Sequence, residues 1–212
     1  MTSADGPLLV CITGGDASGK STQIDAVRDI LTARGVSVAI ASIWDGMQDA
    51  RIAPSLPFSS RNAVHDYLRI VGAAARSHFL FHALHVAMDC ALSAVPDVLL
   101  LNAYWYKYYA TEVAYGGDAA VLRASTVGFT EPDLVCYLRT SVHTAVQRRV
   151  DPSGYESAYG DADSFYRLQQ TSRLVLEELS AELGWISLDA EICERELTAR
   201  IVYTIDQALA VR

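Results

Sequence analysis

The run Leu8-Leu9-Val10-Cys11-Ile12 is wholly apolar, and the segment after Lys20 places Ile24, Val27, Ile30 and Leu31 at helical spacing. The first pattern predicts a strand covered on both faces, the second a helix over about 20–33 stopped at Gly35. Apolar runs at 36–40, 97–101, 134–138 and 185–188 predict four further strands, the one at 36–40 again buried on both faces. Between them, Val64, Leu68, Val71, Ala75, Phe79 and Leu80 predict one long helix from Ser59 or Ser60 to about Leu92. An aromatic-rich helix over 104–115 should end at Gly116-Gly117. Asp118 should open another, and Ser141 should cap a short one ending at Arg148-Arg149. Helices over 164–183 and 194–209 complete the series. Residues 42–57, with Pro54 and Pro57, read as a loop, and the polar stretch 151–163 reads as mobile. Strands alternating with helices predict an α/β fold: a parallel sheet with helices on both faces and a ligand at the strand C-termini.

Length and composition narrow this picture without redirecting it. A chain of 212 residues, 51% hydrophobic and 20% charged, fits one α/β domain spanning 1–212. The net charge of -8 disfavours a nucleic-acid backbone or an anionic membrane as main partner, since both need clustered cations. The first residues lack the basic start and long apolar stretch of a signal peptide, and no apolar run approaches the roughly 20 residues of a membrane span. Cys11, Cys90, Cys136 and Cys193 are scattered with no C-x-x-C, so they read as reduced cysteines in a cytoplasmic protein.

The chemistry concentrates in Gly14-Gly15-Asp16-Ala17-Ser18-Gly19-Lys20-Ser21, which fits G-x-x-x-x-G-K-[ST] and sits between the first strand and the first helix. Glycines let successive N–H groups turn inward, the helix N-terminus adds partial positive charge, and Lys20 adds a full one. Gly14, Gly15, Ala17, Ser18, Gly19, Lys20, Ser21 and Thr22 are therefore the candidate binders of a nucleoside triphosphate, with the Ser21 hydroxyl on its magnesium ion.

Beyond this loop the chain resembles the thymidylate kinases among the P-loop nucleoside monophosphate kinases. The residues that carry the resemblance are Gly15–Gln23, Ala74-Ala75-Arg76, Glu131-Pro132-Asp133-Leu134, Gln147-Arg148-Arg149, Tyr155-Glu156 and Phe165. It implies the P-loop kinase fold with five parallel strands, a short lid at about 148–163, ATP and Mg2+, a homodimer, and dTMP as the first acceptor. It also implies that Lys20 and a lid arginine, Arg148 or Arg149, act in catalysis. Asp16 would face the acceptor sugar and Arg76 the acceptor base. The chain departs from the family where an Asp-Arg pair is expected after the third strand: here stand Asn102 and Ala103, followed by Tyr104. The loop after the second strand reads Ile43-Trp44-Asp45-Gly46 with no arginine, and Gly72 stands where a base-stacking phenylalanine is expected.

Several alternatives remain open on these residues. Lys107, one helical turn after Ala103, could replace the missing arginine on the acceptor anion, or be merely solvated. Asp45 could serve as a base toward the hydroxyl of a nucleoside or other small alcohol, or simply turn its loop. A non-catalytic nucleotide-binding regulator is the third reading. His78, His82 and His85 share a helix face and read as packing or interface residues before a metal site. Of Tyr104, Trp105, Tyr106, Tyr108 and Tyr109, not all can face one core, so one or two should reach the acceptor cleft.

Overall fold

The computed structural model describes residues 6–58, 60–149 and 152–212. In chain order the elements are β1 (Leu8–Thr13), α1 (Lys20–Ala33), β2 (Val38–Ala41), α2 (Arg61–Ile70), α3 (Ala73–Leu92), β3 (Val98–Asn102) and α4 (Tyr104–Ala114). They continue with α5 (Ala119–Ala124), β4 (Leu134–Arg139), α6 (Val142–Arg148), α7 (Ala162–Leu183), β5 (Ile186–Asp189) and α8 (Glu194–Leu209). The loop at 42–57 holds two single 3-10 turns, Asp45–Met47 and Ala53–Ser55.

All five strands are parallel, in the order β2-β3-β1-β4-β5. β1 is central, with Ile12 beside Asn102 of β3 and Thr13 beside Tyr137 of β4. Whatever follows Thr13 therefore emerges between the C-terminal ends of two neighbouring strands, where an open α/β sheet presents its ligand. The strands alternate faces with period two. Leu8, Val10, Ile12, Val98 and Leu100 pack with α1 and α8, whereas Cys11, Leu99 and Leu101 pack with α3, α4 and α7. Helices on both faces are what these near-continuous apolar strands require.

Four expectations need correction, the last of them in the segment before α7. β2 is an edge strand, and three of its four residues are only half-buried rather than covered on both faces. The long helix is two. Val71 (φ −98°, ψ 153°) and Gly72 (φ −72°, ψ 166°) are extended, and Arg76 steadies the break by donating from Nη1 to the Val71 carbonyl at 2.8 Å. Both helices present apolar faces to the same core, Val64 and Leu68 from α2 and Leu80, Leu84 and Met88 from α3, but Ala75, counted in the single stripe, is exposed. Ser60 caps α2 by accepting from the Ala63 N–H; Ser59 lies outside the described residues. Third, all five aromatics of α4 are buried, between 2% and 9% exposed. A helix can bury residues all round when it is covered on every side, and α4 lies among α3, α5, α7 and β1.

The caps at Asp118 and Ser141 are as read from the sequence. All four cysteines are free, with Cys11 and Cys136 buried in strands. The stretch read as mobile is fastened to the body: Tyr155 and Ser157 are buried, and the Tyr155 carbonyl accepts from the Tyr115 hydroxyl. Val150 and Asp151, within the expected lid, lie outside the described residues.

Candidate functional site

β1 ends at Thr13 and the chain turns at once. At Gly14 (φ +153°) a Cβ would sit 2.7 Å from both the Leu138 carbonyl oxygen and Ser18 Oγ, so no side chain fits. Gly19 needs its lack of a side chain for a different reason. It caps α1 in the left-handed region at φ +91°, with open space around it. Ser18 is buried behind the loop, and Lys20 opens α1 with its Nζ donating to the Gly15 carbonyl at 2.5 Å. The N-terminal amides of α1 and the Lys20 ammonium thus converge on one spot, which suits an anion. The mass of protein around Lys20 pushes its pKa down to about 8, against the attraction of Asp16.

That spot opens into a cavity of about 540 Å³. Asp16, Ala17, Gly19, Lys20, Ser21 and Thr22 line it from the phosphate loop, and Ser42, Ile43 and Trp44 from the loop after β2. Arg61 of α2, Asn102 and Ala103 after β3, Lys107 and Tyr108 of α4, and Arg149 and Glu156 complete the wall. Among the described residues, four cations face two carboxylates there on an otherwise acidic chain.

Both carboxylates are already engaged. Asp16 pairs with Lys107 at 2.7 Å and accepts from the Gln169 side-chain amide at 2.9 Å, while Gln169 Oε1 accepts from the Asp16 N–H at 3.0 Å. Burial alone would raise the Asp16 pKa, but Lys107 and Lys20 hold it well below the usual carboxylate range. Burial would likewise lower that of Lys107, yet Asp16 holds it above the lysine value. Glu156 pairs with Arg149 and accepts from the Ser153 N–H at 2.7 Å.

The end of β3 is strained where it meets the cavity. Ala103 (φ 67°) and Tyr104 (φ 54°) both lie in the left-handed region, a costly choice for residues with a Cβ. Ala103 is pinned from both sides, its N–H donating to the Ile12 carbonyl and its own carbonyl accepting from Thr13 Oγ1. This bend presents Asn102 and Ala103 to the cavity and turns the Tyr104 ring inward, where its hydroxyl donates to the Thr130 carbonyl at 2.9 Å.

Of the residues singled out from sequence, Asp16, Ala17, Gly19, Lys20, Ser21, Thr22, Asn102, Lys107 and Arg149 come together at this cavity. Gly14, Gly15 and Ser18 shape the loop behind it. Four candidates lie elsewhere. Arg76 is buried with its guanidinium forked on Glu112 (3.0 and 3.1 Å from Nε, 3.0 Å from Nη2) and lies 4.5 Å over the Tyr115 ring. Arg148 donates to the Ala190 carbonyl, and Tyr104 is in the core. The Asp45 carboxylate accepts from the Ser42 N–H at 2.6 Å, three residues back, and lines no part of the cavity. Among the aromatics of α4, Tyr108 is the one on the cavity wall.

The histidines serve separate purposes: His78 bonds the Ala74 carbonyl, His85 stacks on Phe129 at 4.1 Å, and His82 faces a second cavity. Among the described residues no group of three or more His, Cys, Asp or Glu is placed to hold a metal. No helix there is long and apolar enough to cross a membrane. Sequence reasoning passed over Arg61 and Gln169. Arg61 left one signal, a cation in the first turn of a helix, where the helix dipole disfavours it.

No protein-family model matches the chain. Over 150 residues it is 28% identical to the thymidylate kinase of Afipia carboxidovorans. That stretch takes in 66% of this chain, and it spans 64% of the length of the curated relative it matches. The five parallel strands, with the phosphate loop leaving the central one, are consistent with the P-loop kinase fold that this similarity suggests.

Proposed function

We propose that the chain is a nucleotide kinase, transferring the γ-phosphoryl group of ATP to a nucleoside monophosphate, with dTMP the first acceptor to test. The observation that carries the reading is the convergence of Lys20, Arg61, Lys107 and Arg149 around the N-terminus of α1, facing carboxylates that are already paired. Such a cavity has room and charge for two anionic groups, one from the donor and one from the acceptor. In the transfer, an acceptor phosphate oxygen forms a bond to the γ-phosphorus as the bond from phosphorus to the ADP oxygen breaks. Lys20 and the loop amides would hold the donor phosphates, and Arg149 would face the equatorial oxygens, where charge accumulates. Magnesium would neutralise and orient the donor phosphates. Among the described residues the cavity wall supplies the Ser21 hydroxyl and the Asn102 side chain toward it but no unpaired carboxylate, so most of its ligands there would be phosphate oxygens and water.

A phosphate acceptor suits this site better than an alcohol. An alcohol must lose a proton to a nearby base. Asp45 is turned into its own loop, and Asp16 and Glu156 are held by cations. A second reading, a nucleotide-binding regulator without turnover, is favoured by one observation: neutral Asn102 and Ala103 close the end of β3. The test is ADP release by purified protein with ATP and magnesium across a panel of nucleosides and nucleoside monophosphates. Turnover with a monophosphate supports the kinase, and turnover with nucleosides alone moves the acceptor to an alcohol. ATP binding without turnover favours the regulator. The homodimer implied by the family resemblance belongs to the same proposal and is checked by light scattering.

A further inference from the structure

A second cavity, of about 380 Å³, lies against the first, and Ile43 and Trp44 form part of the wall of both. It sits between the 3-10 turn at Asp45–Met47, the loop through Phe58, and the facing sides of α2 and α3. Phe58, Tyr67 and Phe79 meet one another at 5.1 to 5.5 Å between ring centres, and Met47, Ala83 and Val86 supply further carbon. Gly46 is part of this construction, since a Cβ there would press to 2.8 Å on Val86 Cγ1. The wall is mostly carbon, with His82, Tyr67 and Trp44 as its side chains that carry polar atoms, so hydrocarbon or a plain aromatic ring leaves water for it at less cost than a more polar group.

Trp44 marks the boundary between the two chemistries. Its ring stacks on His65 at 5.6 Å, and the Arg61 guanidinium lies 5.0 Å from the ring centre. Arg61 itself lines the cation-rich cavity. A single molecule spanning the boundary would therefore have an anionic head on the Arg61 side and an apolar body on the Met47 and Phe79 side. We propose that, beyond the nucleoside monophosphate of the first reading, the site also takes an amphipathic phosphomonoester as phosphoryl acceptor, its phosphate beside Arg61 and Arg149 and its hydrocarbon or aromatic group in the second cavity. This rests on reading the first cavity as a phosphoryl-transfer site. The acceptor oxygen is anionic already, so no base is needed. The new bond to the γ-phosphorus is a phosphoanhydride, and ADP leaves with the electrons of the bond that breaks.

Calorimetric titration with 1-naphthyl phosphate tests this without requiring turnover. The probe should bind the full chain, and Ala83→Trp and Met47→Trp, which fill the cavity from α3 and from the 3-10 turn, should each weaken it tenfold or more. ATP affinity should be unchanged in both, which also certifies that each variant is folded. Absence of probe binding, or the same probe affinity in a folded filling variant as in the parent, overturns the proposal. The two readings fail separately. Loss of ATP binding by the parent chain would sink phosphoryl transfer itself, whereas turnover of dTMP without binding of 1-naphthyl phosphate would sink only the apolar acceptor.

Discussion

Lys107 Nζ and Asp16 Oδ1 stand 2.7 Å apart with side chains only 12% and 6% exposed, tying the phosphate loop to α4 across the cavity. Lys107 is thus neither solvated nor an idle cation awaiting an anion. Any acceptor phosphate that uses it must share it with Asp16, whose other oxygen is held by Gln169.

Lys107→Met should therefore cost stability first. It leaves a buried carboxylate with only an amide partner, a change worth about 3–5 kcal/mol, or a fall in melting temperature of roughly 6–20 °C for a chain of this size. Combining it with Asp16→Asn should recover most of the loss, because the stranded charge is gone; equal losses in the single and double variants would mean the pair is not coupled. The pH dependence has a definite sign. Because the folded Asp16 pKa is depressed, its stabilisation is present in full above the unfolded value of about 4. It is lost as pH falls toward the folded value of about 2. The double variant should lack that share of the acid sensitivity.

Lys20 supplies a second pH signature. With its pKa lowered to about 8 by its surroundings, the free protein at pH 8.5 holds much of its Lys20 neutral. A triphosphate beside it favours the charged form, so ATP binding at that pH should take up about half to three quarters of a proton. Calorimetry in two buffers of different ionisation enthalpy measures this directly. No uptake, or the same uptake in Lys20→Met, would remove Lys20 from the phosphate contact. In stability the sign is reversed from Asp16: a lysine with a lowered folded pKa destabilises below about pH 8 and less so above it.

Glu112 lies in the helix read as aromatic-rich over 104–115, yet it holds together three pieces of the chain. Its carboxylate, fully buried, takes the fork of Arg76 from α3 and the Tyr155 hydroxyl at 3.0 Å from the segment before α7. Glu112→Ala should strand the Arg76 charge, destabilise by about 3–5 kcal/mol, and release Tyr155. Hydrogen exchange at 153–160 should then rise more than exchange in β1 or β4. A uniform rise would show only global loss of stability.

The contrast between the phosphate loop and this pair explains what could be read in advance. Residues 14–21 are contiguous, and each glycine answers a local demand, so motif and geometry coincide at Gly14 and Gly19. The strand and helix bounds were also local, and β1, α1 and α8 fall within a residue of the periodicity. Pairings such as Arg76 with Glu112, 36 residues apart, depend on how α3 docks on α4, which no spacing encodes. The same holds for the side chains of Asp45 and Tyr104, placed by loop and backbone geometry at 42–45 and 103–104. The break at Val71-Gly72 was hidden because Val64, Leu68 and Leu80 all serve one core, although Ala75, which the spacing counted between them, is exposed.

Asn102 offers a gain rather than a loss. It stands at the end of β3 beside Ile12, on the cavity wall, and lacks the charge that would help order magnesium and its waters. Asn102→Asp should lower the magnesium concentration needed for half-maximal activity and raise any kinase rate present, read as ADP release against magnesium. A lower rate would assign the amide a role of its own, such as donating a hydrogen bond to a phosphate oxygen.

If the cavity is a phosphoryl-transfer site, Arg61 should be the cation on which acceptor recognition depends most. Among the described residues it makes no ion pair and rests on the Trp44 ring, whereas Lys107 is held by Asp16 and Arg149 by Glu156. Moving it onto an anion breaks no existing pair, so nearly all of the new attraction should appear as affinity. A charge-assisted hydrogen bond of about 1.5–3 kcal/mol corresponds to roughly a tenfold to hundredfold change in binding. Arg61→Ala should weaken a phosphate-bearing acceptor by that factor and ATP much less, and the loss should shrink at high salt because Arg61 is exposed. Arg61→Lys should recover part of the affinity but not the planar stacking on Trp44. Were ATP weakened as much as the acceptor, Arg61 would belong to the donor phosphates instead, and recognition of the acceptor anion would fall to Lys107 once Asp16 releases it.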